Sequence, residues 1–252
     1  MIKFFRKIRH RLLSENKVSK YLLYAIGEII LVVIGILIAL QINTWNQNRQ
    51  NRAEELKILK SLYKEVEANI ETFNYDFTIQ QRNFAVIQEI TAMRPSLYDV
   101  NTLDSLFIST RPHTYNASFG ILNSVINSGK IELITNDSLK ERIAQVKDYV
   151  IDYREDQDKT LAMGDYITKL WVEDEFYINN EILLGLRPRT SEELINDKQQ
   201  YIRLFNSPKI KKAFLSMLGL NIGVIEEGGR LNRRYVHLLE LIDQEIKRLE
   251  HD

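Results

Sequence analysis

The longest apolar run in the chain is YLLYAIGEIILVVIGILIALQI, residues 21–42, and Glu28 is its single charged residue. At about 1.5 Å per residue, an α-helix of this length covers roughly 33 Å, which is enough to cross the hydrocarbon core of a bilayer. The run therefore predicts a transmembrane helix at residues 21–42. The remaining chain is then a domain tethered to a membrane.

The basic residues around this run predict its orientation. Seven Lys and Arg precede it, and only four follow within about 20 residues. This bias predicts a cytoplasmic N-terminus in the inner (cytoplasmic) membrane and an extracytoplasmic domain, residues 43–252, which is periplasmic if the host has two membranes. Tyr21, Tyr24 and Trp45 are placed to act as interfacial anchors, since aromatic side chains favour the two membrane–water interfaces.

A cleaved signal peptide is the main alternative to a permanent anchor. Its apolar region would be shorter, about 7–15 residues, and would end in a small-residue cleavage site. The exit of this run reads ALQINTW, residues 39–45, without such a pattern. The sequence therefore favours an uncleaved signal anchor.

Residues 1–20 are predicted to be a basic cytoplasmic segment. Ile2, Phe5, Ile8 and Leu12 share one helical face, and the basic residues are mostly opposite. This pattern is typical of a short amphipathic helix on an anionic leaflet. The alternative is a charge cluster that only sets topology, and both interpretations remain open.

The composition of residues 43–252 excludes several classes of site. This part carries 27 basic and 32 acidic residues, a net charge of −5, which argues against a nucleic-acid surface. The chain has no cysteine, so disulfides, thiolate metal sites and thiol nucleophiles are excluded. About 210 residues are enough for one sizeable domain with its own core.

Helical periodicity continues beyond the apolar run. Gly and Pro are scarce, and apolar residues recur with alternating spacings of three and four, which predicts a long helix that continues from the membrane helix. The stripe is the core face of a helical bundle or the seam of a coiled coil. It consists of Leu56, Leu59, Tyr63, Val66, Ile70, Phe73, Phe77, Gln80, Phe84 and Ile87.

Further boundaries divide the rest into helices. Pro95 ends the first long helix, Gly129 is a helix stop, and Thr190 opens a capping box. Pro208 marks the first turn of the last helix, and Gly228-Gly229 is a place where that helix is expected to bend. The predicted fold class is all-α: a transmembrane helix that continues into an elongated extracytoplasmic helical bundle.

No catalytic constellation is visible in the sequence. The four histidines are scattered, and neither a zinc-protease H-E-x-x-H motif nor a G-x-S-x-G nucleophile elbow occurs. Gly129-Lys130 lacks the spacing and the hydroxyl residue of a phosphate loop. The sequence predicts a protein that is not an enzyme, with no metal site and no cofactor.

Four aromatic residues cluster near the end of one predicted helix: Tyr166, Trp171, Phe176 and Tyr177. Amphipathic aromatic side chains of this kind line ligand pockets in some proteins. Packing in the hydrophobic core is the alternative role. The sequence does not decide between them.

Glu28 is the most informative polar residue, because an ionisable side chain inside a membrane is costly and marks function by default. Gly35 and Ala39 lie on the same side of the helix and form a small-xxx-small pair that permits close helix approach. The three residues predict self-association of the membrane helix, with Glu28 bonding across the pair. The alternative is that interfacial water reaches Glu28.

The N-terminal block resembles a bacterial family of unknown function, single-pass membrane proteins with a GEI…VVIGILIALQIN.WN segment. That segment corresponds here to Gly27-Glu28-Ile29, residues 32–43 and Trp45-Asn46. Residues 127–143, NSGKIELITNDSLKERI, resemble the second recurrent block of the family. The resemblance implies membrane localisation and no established activity, and it supplies no catalytic residues.

Taken together, these features predict a non-enzymatic, signal-anchored protein that acts as an interaction or structural module of the cell envelope. Its expected partners are membrane lipid, a second copy through the transmembrane helix and an unidentified protein, but no nucleic acid. The alternative is a sensory-type ligand-binding helical bundle. About 20 cytoplasmic residues hold no signalling domain, so such a sensor would signal through a partner.

Overall fold

The computed structural model describes residues 18–251, and this part of the chain is all-α, as predicted. Its α-helices are α1 Val18–Ala92, α2 Val100–Ile108, α3 Gly120–Asn127, α4 Asp137–Glu173, α5 Asn180–Leu183, α6 Ser191–Asn206 and α7 Pro208–His251. Short 3₁₀ turns occupy Pro95–Leu97 and Lys130–Leu133. The basic segment predicted for residues 1–20 lies outside the described residues except for its last three, and the side chains of Tyr21 and Tyr24 also lie outside the description.

The helix boundaries follow local signals in the sequence. Gly129 has a φ of 70°, the left-handed conformation that glycine adopts without strain, and it ends the turn after α3. The capping box at the start of α6 is present, because the Thr190 hydroxyl accepts from the Glu193 amide and the Glu193 carboxylate accepts from the Thr190 amide. Pro208 begins α7 as expected.

The chain separates into two compact units, one ending at Glu55 and one beginning at Leu56. The second unit contains two hydrophobic cores, and α4 packs along α7 within it. The first core joins α1, α3, α4 and the second half of α7 around Phe73, Tyr115, Tyr153 and Tyr235. The second core joins the end of α1, α2, the end of α4, α6 and the start of α7 around Phe107, Tyr201, Phe205 and Phe214.

The buried stripe of α1 is rotated relative to the predicted seam. Five seam members are buried, namely Leu59, Val66, Phe73, Gln80 and Ile87, whereas the alternate members are only partly buried. The buried face also takes in Leu62, Asn69, Asp76 and Asn83, so polar residues alternate with apolar ones along it. The stripe packs against the two cores, which supports the bundle-core interpretation.

Helix α7 runs through Gly228-Gly229 without a break, so these glycines do not interrupt it. Gly228 instead makes room for an aromatic ring of α1. A Cβ at this position would lie 2.8 Å from Cδ2 of Phe77, which is closer than side chains pack. Next to it, a Cβ at Gly229 would meet only the guanidinium of Arg233, at 3.7 Å.

Alanine at these two adjacent positions should therefore have opposite effects. Gly228→Ala is expected to lower the free energy of unfolding by about 1–3 kcal/mol, because the added methyl group displaces the Phe77 ring. Gly229→Ala should be neutral or raise it by up to about 1 kcal/mol through helix propensity. Urea denaturation of the full chain in detergent, followed by circular dichroism, measures both variants. Equal effects would contradict this packing.

Candidate functional site

The first unit presents a broad apolar surface along helix α1. All the large hydrophobic side chains described between residues 22 and 42 are 47–76% exposed, on every side of the helix. No part of its most apolar 18-residue stretch is buried in the fold. A helix that is apolar all round and uncovered is typical of a membrane span. By length and composition this helix is able to cross a bilayer.

The residues predicted for helix association lie on one face of this apolar stretch. Glu28 and Gly35 are seven residues apart, and Ala39 follows one turn later, so all three project within a narrow angular range. Glu28 is partly exposed and Ala39 is exposed. A Cβ added at Gly35 would meet no atom within 4 Å. This face leaves room for the close approach of another helix. Trp45 is 65% exposed just after the apolar stretch, and its role as an interfacial anchor remains a prediction.

In the second unit, polar side chains of α1 hold an irregular segment between α2 and α3, here called the strap, residues 109–119. The Asn83 amide donates to the carbonyl of Arg111 at 2.6 Å, and the Gln80 amide donates to the carbonyl of His113 at 2.9 Å. Asn69 forms a two-way pair with the backbone of Ser118, at 2.7 and 2.9 Å. Buried peptide groups must be hydrogen-bonded, and the irregular strap has no neighbouring strand to pair with. The side chains of α1 supply these hydrogen bonds instead.

A carboxylate on the same helix completes this attachment. Glu65 accepts hydrogen bonds from the amides of Ile121 and Leu122, at 2.7 and 2.9 Å. These amides belong to the first turn of α3, where helix N–H groups have no intrahelical partner. Glu65 therefore caps α3 from a distance, as no side chain at the N-cap position of α3 does so.

A buried network of amides and tyrosines joins the strap to α4 and α7. The Gln157 side-chain oxygen accepts from the Tyr115 amide at 2.6 Å and from the Gln80 side chain at 3.2 Å. The Tyr153 hydroxyl donates to the Gln80 oxygen, and the Tyr115 and Tyr235 hydroxyls share a hydrogen bond at 3.0 Å. Burial raises the pKa of Tyr235 to about 12 and raises the pKa of Tyr115 and Tyr153 above their ordinary value. These hydroxyls therefore stay neutral and serve as hydrogen-bonding groups of the core.

The sequence did not single out most of these strap-binding residues. Asn69, Asp76 and Asn83 recur every seven residues, each directly before an apolar member of the predicted seam. That recurrence is a readable signal for a polar row on the buried face. His113 adds a strap side chain to this row, with its Nε2 atom 2.7 Å from Oδ1 of Asp76.

The four aromatic residues near the end of α4 do not act together. Trp171 and Phe176 pack against Phe107 of the second core, with ring centres 4.4 and 5.1 Å from it. Tyr166 is 50% exposed and Tyr177 is 68% exposed. The core-packing interpretation is therefore right for two members, and the other two lie at the surface.

Between residues 18 and 251, no cluster of three or more His, Asp or Glu side chains is arranged to hold a metal ion. The polar groups brought together inside the second unit bond to one another and to the strap. Their arrangement stabilises an irregular chain segment within a helical bundle.

The fold and the uncovered helix define a class: an all-α protein whose long N-terminal helix is apolar enough to span a membrane. The chain belongs to DUF6090, a family of unknown function, which matches residues 28–162, just over half of the chain. No curated protein and no solved structure shows significant similarity to it. The expectation of a family of unknown function is confirmed. The N-terminal family motif and the bacterial origin remain predictions.

Proposed function

We propose that this chain is a non-enzymatic, single-pass membrane protein of the cell envelope whose helical domain acts as an interaction or structural module. The observation that carries the proposal is the uncovered apolar surface of residues 22–42. An exposed apolar surface of this extent is unfavourable in water and marks a membrane or protein contact. A bilayer covers all sides of such a helix at once, whereas a single protein partner covers one.

The flanks of this helix support the proposed cellular location. The excess of Lys and Arg before residue 21 favours a cytoplasmic N-terminus in the inner membrane. The domain that begins after the membrane then lies outside the cytoplasm. The anchor is proposed to remain uncleaved.

A structural or binding role is supported by the use of polar groups in the second unit. Gln80, Gln157 and Asn69 are nearly completely buried, and each is hydrogen-bonded to the strap. Buried polar groups in catalytic sites instead aim at a space for substrate. In this bundle the buried polar groups fix the position of the strap and give the domain a defined shape.

The proposed partner within the membrane is a second copy of the same helix. An ionisable residue within a membrane helix marks a functional contact by default, and a second copy of the helix places Glu28 beside its symmetry mate. Gly35 and Ala39 allow the two backbones to approach closely on the same face. Polar bonds between membrane helices contribute about 1–2 kcal/mol in model peptides, roughly a tenfold change in association.

Crosslinking in membranes tests this association. The chain has no cysteine, so Ile42→Cys provides a single reporter on the face of Glu28 and Gly35. Glu28→Leu and Gly35→Ile, each added to this reporter, are expected to lower disulfide-linked dimer several-fold, up to about tenfold. Glu28→Gln should retain most of the dimer because its amide still bonds across the pair.

Val33→Ile is the matched control, since it adds bulk on the opposite face of the same helix. It should leave the dimer yield unchanged. Dimer yields that are the same in Glu28→Leu, Gly35→Ile and the reporter alone would rule out association through this face.

A further inference from the structure

A groove between α4 and α7 in the second unit has an unusual concentration of positive charge. It encloses about 380 Å³, within the range of small-molecule sites. Five of its eight lining side chains are Arg or His, and a tyrosine lies among them. The six polar lining residues are Arg142, Tyr149, Arg230, Arg233, Arg234 and His237.

The basic residues of α7 form one continuous row. Arg230, Arg233, Arg234 and His237 follow the spacing of three and four that places side chains on one helix face. On α4, Arg142 and Tyr149 are two turns apart and lie on the side that faces this row. Like charges this close repel each other, so the row destabilises the free protein unless an anion is bound.

The acidic residues of the fold neutralise only part of this charge. Arg230 pairs with Glu227, and His237 lies 3.9 Å from Glu240 at a highly exposed position. Across residues 18–251, no carboxylate lies within ion-pairing distance of Arg142, Arg233 or Arg234. Residues 43–252 as a whole have a net charge of −5, so this groove is a positive site on an acidic domain.

One of these arginines is already held in position. The guanidinium carbon of Arg234 lies 3.8 Å from the centre of the Tyr149 ring, a cation–π contact. The Tyr149 hydroxyl donates to Gln145 at 2.7 Å, which fixes the ring. Stacking leaves the edge N–H groups of Arg234 available for hydrogen bonds.

The geometry points to a binding site for a small anion that carries two or more phosphate groups. The paired N–H groups of an arginine guanidinium match the oxygens of phosphate. At least three guanidinium groups without a carboxylate in ion-pairing distance line this one groove. The ligand is either a free phosphorylated compound or the phosphate headgroup of a lipid. Both present the same oxyanion to the same arginines.

Inorganic pyrophosphate is the probe, titrated calorimetrically into the full chain held in phosphatidylcholine nanodiscs at low ionic strength. Arg233→Gln/Arg234→Gln should weaken pyrophosphate binding by at least about tenfold, because the loss of one hydrogen bond from a charged group already lowers affinity by about that factor. The control is Arg82→Gln/Arg154→Gln, which removes the same charge from exposed positions outside the groove and should leave binding unchanged. Circular dichroism confirms that both variants remain folded.

A second arm separates the two sources of phosphate. The same nanodiscs are mixed with liposomes that contain cardiolipin, a lipid whose headgroup carries two phosphate groups, and flotation measures their capture. Capture that needs Arg233 and Arg234 supports the lipid headgroup, whereas pyrophosphate binding without capture supports a free anion. The proposal is overturned if neither probe binds, or if the groove pair weakens pyrophosphate binding no more than the control pair does.

Discussion

Replacing Arg189 with alanine is expected to lower the free energy of unfolding by about 3–5 kcal/mol, because it leaves the buried carboxylate of Asp197 and the mostly buried carboxylate of Asp104 without their counter-charge. Arg189 binds Asp104 through two hydrogen bonds of 2.6 and 2.7 Å and binds Asp197 at 2.8 Å. The three side chains are only 8–13% exposed. Tyr201 donates a further hydrogen bond to Asp104 at 2.6 Å, so the pair is part of a buried network.

This network ties three parts of the second core together. Asp104 lies on α2, Arg189 precedes α6, and Asp197 and Tyr201 lie on α6. Urea denaturation of the full chain in detergent measures the loss.

Arg187→Ala is the matched control, because Arg187 also pairs with two carboxylates, Glu181 and Glu193, but at the protein surface. Water already solvates that group, so its loss should cost much less. A loss of stability in Arg189→Ala no larger than in Arg187→Ala would show that the buried network does not stabilise the fold.

Replacing Gln157 with leucine is expected to cost about 2–4 kcal/mol, because it leaves the Tyr115 amide and part of the Gln80 amide without an acceptor in the core. Gln157 is 2% exposed and is the only residue of α4 whose side chain binds the strap backbone among the described hydrogen bonds. Hydrogen exchange gives a direct readout. The Tyr115 amide should exchange much faster in the variant.

Gln88→Leu is the control for this change, since Gln88 is exposed on α1 and makes no side-chain bond to the strap. It should alter neither the stability nor the exchange of Tyr115. Unchanged protection of the Tyr115 amide in Gln157→Leu would contradict the role of Gln157 in holding the strap.

The parts of the fold that depend on local chemistry could be predicted from the sequence. The Thr190 capping box, the Gly129 stop and the start of α7 at Pro208 each need only residues within one turn. The apolar composition of residues 21–42 similarly indicates a membrane helix without any tertiary information.

The parts of the fold that depend on contacts between residues far apart in the chain could not be predicted from the sequence. Arg189 meets Asp104, which is 85 residues earlier, and Gln157 meets Tyr115 across 42 residues. The apolar pattern alone predicts that the buried face of α1 is centred on its apolar residues. In the structure, Asn69 and Asn83 bond to the strap, so the buried face is rotated toward these polar residues. The cationic row of α7 is readable at helical spacing, but its position opposite Arg142 requires the packing of α4 on α7.

Alkaline phosphatase fusions locate the helical domain relative to the membrane and so test both the membrane anchor and its orientation. This reporter folds only outside the reducing cytoplasm, because its activity depends on disulfides. In a bacterium with two membranes, phosphatase joined after residue 252 should be active, and phosphatase without its own signal peptide joined ahead of residue 1 of the whole chain should be inactive. An inactive fusion after residue 252, expressed at the same level, would contradict an extracytoplasmic helical domain.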